Sequence, residues 1–445
     1  MQTTSRILLS ILNLFFLIYG VNGQNAEYVW TLEECIQQAL DHNIQLQQML
    51  LTDETNNIRI LQAKAARYPS ASLSASQNFS WSRDLLPDNT YGSFSAGNNT
   101  SVGLSTGVTL YDGFRINNTI RQSELDYKAG QFDTEALKDN LRLNILNAYL
   151  QVLYTEEEVT NSRNQMEATS EELNLAEERL MLGAISKSDY LLIKAQLANE
   201  NLTVTNVENQ LAINKITLMQ LMEIPVSNPS NLRLVSLDTS IFAYTVLESD
   251  TVFETALQMR PEIKSAQLNR QSASLDIDLA KAGLQPSLSL HGSVNTGFSS
   301  GLRDIAYYDQ LTNKISPALG LSLSVPLYQN RQVRSKVEMA NIAVEKAQLN
   351  ETDVRNQLRK TIEQAYVNVT SAFREYDASA QKYKAQRESF ELASEKFDLG
   401  LLNSVDFLFE KTNLIVAESN LLQSKYKLIY SIKIFDFYRG KSLTQ

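Results

Sequence analysis

A tandem duplication constrains the fold of this chain more than any other feature of its sequence. Shifting the sequence by 217 positions places Pro69-Ser70 on Pro286-Ser287 and Leu182-Gly183 on Leu399-Gly400. The offset stays constant between about residue 39 and residue 221, which indicates two copies of one unit rather than chance similarity. The predicted order is a signal peptide over 1–23, repeat 1 over 24–221, a connector over 222–250 and repeat 2 over 251–440.

Each repeat is predicted to contain a β-hairpin after an opening helix, which spans 31–67 in the first copy. Residues 70–82 alternate strictly between apolar and mostly serine positions, and residues 101–110 alternate again after a polar loop over 83–99. Such alternation is typical of a strand with two different faces. The hairpins are therefore predicted over 70–111 and 287–328.

The composition of these four strands favours a membrane barrel. Segments of about 10 to 13 residues with one apolar and one Ser/Gly face match transmembrane strands. No apolar stretch near 18 residues follows the N-terminal region, so a helical membrane span is not expected. The alternative is a soluble hairpin whose apolar face covers a core. The uniformity of Ser and Gly favours a water-filled lumen, and His42 and His291 are interpreted as ordinary polar residues.

Long helices are predicted after each hairpin, over 113–181 and 331–398, with return helices over 185–221 and 403–438. A helix of about 67 residues would be about 100 Å long and requires lateral partners. Apolar residues repeat every seven positions, which is typical of coiled coils. Examples are Val152, Val159, Met166, Leu173 and Leu180, and on the last helix two seams, Leu408, Ile415, Leu422 and Ile429 beside Leu414, Leu421, Leu428 and Phe435. Two seams on one helix indicate neighbours on both sides, as in a barrel of helices; the alternative is a rod-like scaffold.

Composition and charge exclude several function classes. An export signal with Arg6, an apolar run over 7–19 and cleavage after Gly23 is predicted, and its removal changes the net charge from −10 to −11. That charge argues against a nucleic-acid partner. Two histidines and one cysteine provide no metal cluster or nucleophile–base pair, so no catalytic residue, metal or cofactor is predicted and the chain is not expected to be an enzyme. Cys35 is expected to be a buried helical residue.

The element order resembles the TolC family of outer-membrane efflux proteins, the outer-membrane factors of tripartite efflux or type I secretion systems. The resemblance covers nearly the whole mature chain. Its most specific parts are the duplicated Leu-Gly turns and the stretch Leu110–Gly113, whose counterpart Leu327–Asn330 lacks the glycine. It implies a mixed α and β, mostly α, fold that closes as a homotrimer into a β-barrel and an α-barrel.

The resemblance also implies a function and a set of site residues. The function is a passive exit duct in the outer membrane, with its helical part in the periplasm, docked to a periplasmic adaptor protein and an inner-membrane pump of the RND or ABC type. The alternative is a structural coiled-coil surface or scaffold protein, which would have no use for a Ser/Gly lumen face. The family's Tyr and Arg beside the second turn are replaced here, so a more apolar constriction is expected. The implied gate residues are Asp189, Asp406, Phe397 and Leu402, and the adaptor-docking residues are Leu182, Gly183, Leu399 and Gly400.

The same residues have a simpler interpretation as local structure. Glycine suits the left-handed end of a helix, so the turn residues can be turn chemistry alone. Asp189 and Asp406 follow the N-cap residues Ser186 and Asn403 by three positions, where an acidic side chain caps a helix and favours its dipole by about 0.3–1 kcal/mol.

Overall fold

The structure, a computed structural model, describes residues 29–83, 85, 87, 89–225, 229–236, 248–302 and 304–443; the predicted signal peptide lies outside them. The chain divides into two compact units. The helical unit comprises the described parts of Met1–Ile44, Asp139–Ser249 and Glu363–Gln445, and the strand unit comprises those of Gln45–Lys138 and Asp250–Ile362. Each unit therefore contains parts of both sequence repeats.

The helical unit is built mostly from long helices. It contains β1 (Val29–Trp30), α1 (Leu32–His42), the second part of α3 (Arg115–Met181), α4 (Lys187–Leu221), β4 (Arg233–Leu234), the second part of α8 (Gln332–Asp398) and α9 (Ser404–Tyr438). Its core joins Leu32 and Cys35 of α1 to Leu146 of α3, Leu218 of α4 and Ile429 of α9. Cys35 is fully buried as expected, and burial raises the pKa of its thiol to about 12.

A small parallel sheet in the helical unit was not foreseen from the sequence. Strand β1 pairs with β4, which lies in the predicted connector, and Val29 is opposite Arg233. The fully buried Tyr149 fixes this pair, because its hydroxyl lies 2.6 Å from the carbonyl oxygen of Val235 and 3.2 Å from that of Trp30. Burial raises the pKa of this phenol. Two-residue strands carry no periodicity that a sequence could reveal.

The strand unit contains one antiparallel sheet with the strand order β2-β3-β5-β6. Its elements are α2 (Ile44–Ala65), β2 (Ser70–Ser82), β3 (Ser95–Tyr111), α5 (Ser249–Met259), α6 (Pro261–Ala282), β5 (Ser287–Ser299), α7 (Tyr307–Asn313) and β6 (Ser316–Ser324), together with the first parts of α3 and α8. The first residues of α2 and α5 belong to the helical unit. Within the described residues β2 and β6 each have one neighbour, so the sheet has two open edges.

Several predicted boundaries differ from the observed ones. The helix predicted over 31–67 is broken at Asn43, and the second copy is broken at its counterpart Arg260; both residues have extended backbone. Strand β3 begins at Ser95, inside the predicted polar loop, because its first residues continue the pairing with β2. The second hairpin was predicted to end at 328, but β6 ends at Ser324, two residues before Pro326, which cannot donate to a strand ladder.

Among the described residues, no helix combines the length and the apolar character that crossing a membrane requires.

Candidate functional site at the helical turns and the sheet

The two turns between long and return helices share one backbone geometry. Gly183 and Gly400 have φ values of +72° and +74°. The amide N–H of Ala184 donates to the carbonyl of Arg179, and that of Leu401 donates to Lys396, each at 2.8 Å. This six-to-one bond after a left-handed glycine is the Schellman motif. Turn chemistry therefore accounts for both glycines.

The turns lie side by side and present apolar side chains. The guanidinium of Arg179 pairs with the carboxylate of Asp398 at 3.2 Å. Leu182 is 83% exposed and Leu399 is 73% exposed. Sequence reasoning missed two further exposed neighbours, Met181 and Leu401. Four adjacent apolar side chains in water are unfavourable unless a partner covers them.

Both predicted gate carboxylates contact the N-cap residue of their return helix. Asp189 accepts hydrogen bonds from the hydroxyl of Ser186 at 2.7 Å and from its backbone amide at 3.3 Å. Hydrogen bonds from Ser186 and from Ser404, the first residue of α9, hold the pKa of Asp189 below its usual value. Asp406 accepts from the side-chain amide of Asn403 at 2.8 Å. Asp189 thus completes a capping box with Ser186, whereas the second return helix is capped by Asn403, whose side-chain oxygen accepts from the Asp406 amide N–H at 2.9 Å.

The predicted apolar constriction residues are partly packed. Phe397 stacks on the buried Phe407 with ring centroids 4.4 Å apart, and Phe390 contacts the same ring at 5.7 Å. Phe397 and Leu402 are both half-buried. Leu399, two positions after Phe397, is exposed. Leu401, directly before Leu402, is also exposed.

A buried ion pair lies about two to three helical turns from the tips, and sequence reasoning missed it. Lys411 of α9 is 5% exposed, and its ammonium group lies 2.7 Å from both the Thr169 hydroxyl and a Glu172 carboxylate oxygen of α3. Burial raises the pKa of Glu172, and Lys411 partly opposes this rise. Its counterpart in repeat 1, Lys194, is exposed and contacts only the ring of Tyr190 among the interactions that the structure shows for it.

The adjacent residue on α9 makes a matching connection to the other long helix. Glu410 accepts hydrogen bonds from the side-chain amide of Gln386 at 2.7 Å and from the hydroxyl of Ser389 at 3.1 Å. Gln386 and Ser389 of α8 are the repeat counterparts of Thr169 and Glu172 of α3. Helix α9 is therefore held at one level by equivalent positions of both long helices.

The four-stranded sheet has two chemically different faces, and both are largely open. The apolar face carries exposed side chains on the first and last strands, such as Leu73 and Leu321. On the other face, Ser72 and Ser105 are hydrogen-bonded across strands at 2.8 Å. The strands contain no Asp, Glu, Lys or Arg. An apolar face without a core contradicts the alternative of a soluble, half-buried hairpin.

The turns and the sheet both lie in the part of the chain that matches known proteins. The family model described as Outer membrane efflux protein matches residues 35–222 and 252–431, which contain both turns and all four strands of the sheet. The outer membrane protein TolC of Vibrio cholerae is 25% identical over 421 residues, covering 92% of this chain and 91% of that protein. The CmeC outer membrane channel of Campylobacter jejuni shares the fold with a TM-score of 0.79 at 19% identity, covering 92% of this chain and 85% of that one. The open state of the MtrE outer membrane channel of Neisseria gonorrhoeae has a TM-score of 0.74 at 18% identity, covering 93% and 88%.

Proposed function

Because this chain belongs to the outer membrane efflux protein family, and is thus an outer-membrane channel component of an efflux system, we propose that three copies assemble into one passive duct. Each copy would contribute four strands to a twelve-stranded barrel in the membrane and its long helices to a barrel in the periplasm. The number three rests on the family resemblance. The need for self-association rests on the sheet.

The main support for this proposal is the geometry of the sheet. It is exposed on both faces, and β2 and β6 each leave one edge unpaired within the described residues. A membrane requires that every backbone group be paired, so an open edge in lipid must close against another chain. Four strands cannot enclose a lumen, since the smallest bacterial membrane barrels have about eight. Pairing of β6 with β2 of the next copy satisfies both edges at once.

The face lined with Ser and Gly suits the wall of a duct that performs no chemistry. Short polar side chains keep the lumen wide and wetted, and the absence of fixed charge on the strands imposes no preference on a passing solute. The gate is assigned to the helical turns, with Asp189 and Asp406 as carboxylates that attract cations and Phe397 and Leu402 beside the second turn.

The exposed tips support docking of a periplasmic adaptor, which would connect the duct to an inner-membrane pump of the RND or ABC type. Leu182 and Leu399 project from the Gly183 and Gly400 turns, and their exposure leaves an apolar surface for helical hairpins of the adaptor to cover. Replacing both leucines by serine should abolish efflux in cells while leaving bilayer conductance unchanged. Leu349→Ser, at an equally exposed leucine of α8, is the matched control, and equal loss of efflux in both would reject the docking assignment.

Adjacent residues on β6 test the membrane assignment. Leu321 lies on the apolar face and Ser322 on the polar face. Leu321→Arg should destabilise the barrel, because arginine on the lipid side costs up to about 2–4 kcal/mol per copy, a cost that is largest at the membrane midplane and falls towards its margins. Ser322→Arg should still give detergent-stable trimers that conduct ions, with a mass about three times that of the chain without its signal peptide. Equal behaviour of the two variants, or a monomer that stays soluble without detergent, would refute the proposal.

A further inference from the structure

The connection between β5 and β6 folds back over the sheet instead of extending away from it. The ring of Tyr307, at the start of α7, packs on Phe298 of β5 with centroids 4.8 Å apart, and its hydroxyl lies 3.4 Å from the hydroxyl of Thr100 on β3. The hydroxyl of Thr296 donates to the carbonyl of Leu311. The described residues of this connection, 300–302 and 304–315, are called the fold-back segment below.

The register identifies the face that this segment covers. Thr100 is opposite Phe298, and two positions further along the pair Val102 is opposite Thr296. Side chains two positions apart on a strand share a face. The covered residues are therefore on the apolar face, which also carries Leu104 and Val294, and not on the face lined with Ser and Gly. The fold-back segment leaves the proposed lumen open.

A single buried amide fixes this arrangement. Gln310 is 1% exposed. Its amide nitrogen lies 3.1–3.3 Å from the carbonyl oxygens of Ser299, Leu302 and Ile305, which share its two hydrogens, and its amide oxygen accepts from the Ser299 amide and the Lys314 ammonium at 3.0 Å. A fully satisfied buried side chain of this kind selects one conformation of its surroundings. The fold-back segment thus has a defined conformation and forms part of the sheet surface.

The outer surface of the segment has the chemistry of a membrane interface. Tyr308 is 78% exposed and makes an edge contact with Tyr307 at 5.7 Å, and Leu302 and Ile305 are also exposed. Tyrosine combines an apolar ring with a polar hydroxyl and concentrates where hydrocarbon meets headgroups. The surface continues directly into the apolar face, where Leu319 is exposed.

The position along the strand agrees with that chemistry. From Leu288, at the end of β5 next to the helices, to Phe298 there are ten residues, or about 33 Å at 3.3 Å each. A tilt of about 40° reduces this to about 25 Å along the membrane normal, the height of the apolar band of outer-membrane barrels. The fold-back segment lies at the far margin of that band.

We propose that the fold-back segment is an interfacial anchor that contacts the headgroup region of the outer leaflet of the membrane. The proposal rests on the membrane insertion of the sheet described above. It adds a lipid-binding element outside the barrel wall and assigns the second strand connection to the membrane surface rather than to the mouth of the duct.

Site-directed fluorescence tests the anchor. Cys35 is buried, so a thiol-reactive bimane should label only an introduced cysteine. The assembled protein is placed in phosphatidylethanolamine/phosphatidylglycerol vesicles with a nitroxide on the headgroup or at mid-chain, or with iodide in the water. A label at Tyr308→Cys, and equally at Ile305→Cys, should lose most of its fluorescence to the headgroup nitroxide and little to iodide.

A second position separates failure of this inference from failure of the proposed function. A label at Leu319→Cys, on the middle of the apolar face, should be quenched by the mid-chain nitroxide. If it is, while labels at 305 and 308 respond only to iodide, the anchor is refuted and the barrel stands. If no position responds to lipid, both proposals fall. Gln310→Ala should release the segment and shift the response at 308 from the headgroup nitroxide towards iodide.

Discussion

The buried pair of Lys411 and Glu172 allows a sharp test of how the helices are held near the tips. In Lys411→Met the ammonium is lost, while Glu172 keeps its position against α9. Removing one partner of a buried ion pair costs about 3–5 kcal/mol, because the other charge stays desolvated. The Glu172 side chain retains 26% exposure, so we expect a smaller loss of about 2–4 kcal/mol in local stability.

Hydrogen exchange measures this loss where it occurs. A local opening free energy lower by about 2–4 kcal/mol corresponds to exchange faster by about 30- to 900-fold. The effect should be confined to peptides covering residues 165–176 and 404–415 in the detergent-solubilised assembly. Lys194→Met is the matched control, since Lys194 occupies the same repeat position but is exposed, and it should change exchange little.

Two further comparisons identify the charge of Glu172 as the cause. Glu172→Gln combined with Lys411→Met should recover most of the lost protection, because no buried charge remains. The pKa of Glu172 is raised by burial and is opposed by Lys411, so in Lys411→Met it rises further. A carboxyl group whose pKa is raised in the folded state destabilises the fold at pH values above that pKa. This destabilisation disappears as the pH falls through the pKa. The defect should thus be largest near neutral pH and shrink on acidification. The reasoning is refuted if Lys194→Met is equally disruptive or if the double variant is no better than the single one.

Three shorter predictions concern the tips and the small sheet. Replacing Asp189 and Asp406 together by asparagine should weaken cation block in single-channel recordings; unchanged block would remove the gate assignment. Gly183→Ala and Gly400→Ala should each destabilise their turn by about 1–2 kcal/mol through the left-handed backbone alone, because nothing lies within 4 Å of the added methyl group, and faster exchange of the turn amides would show it. Tyr149→Phe should cost about 1–2 kcal/mol and increase proteolysis at 229–236, and a stability equal to that of the parent would contradict the role of its hydroxyl.

The sequence allowed those helices and strands to be predicted whose residue pattern repeats over enough positions to be detected. Four alternating strands, two helices of about 67 residues and duplicated Leu-Gly turns indicated the mixed, mostly helical fold, and the fold class is confirmed. Short elements escaped prediction, because a two-residue strand shows a single alternation and the seven-residue α7 spans fewer than two helical turns. The break at Asn43 has no local signal, although its counterpart in repeat 2 precedes Pro261, a residue suited to starting a helix.

The buried lysine shows why a pattern cannot identify every site residue. Lys194 and Lys411 occupy the same place in the repeat, yet one is exposed and the other buried. The difference arises because Thr169 and Glu172 of α3 lie against Lys411, whereas the interaction shown for Lys194 is with Tyr190 of its own helix, and this depends on tertiary packing. The two turns illustrate the opposite case, because a glycine followed by a capping residue specifies its geometry within ten positions.

The core of the helical unit has a consequence for biogenesis. The core joins Leu32 to Ile429, Phe437 and Leu443 in one apolar cluster. Segments at both ends of the described chain must therefore meet before water is excluded from that cluster. A polypeptide emerging from an export channel in order would keep its early apolar residues uncovered until almost all of it had crossed. We therefore expect chaperones to protect the chain throughout translocation. We also expect rapid degradation of products that stop short of residue 429.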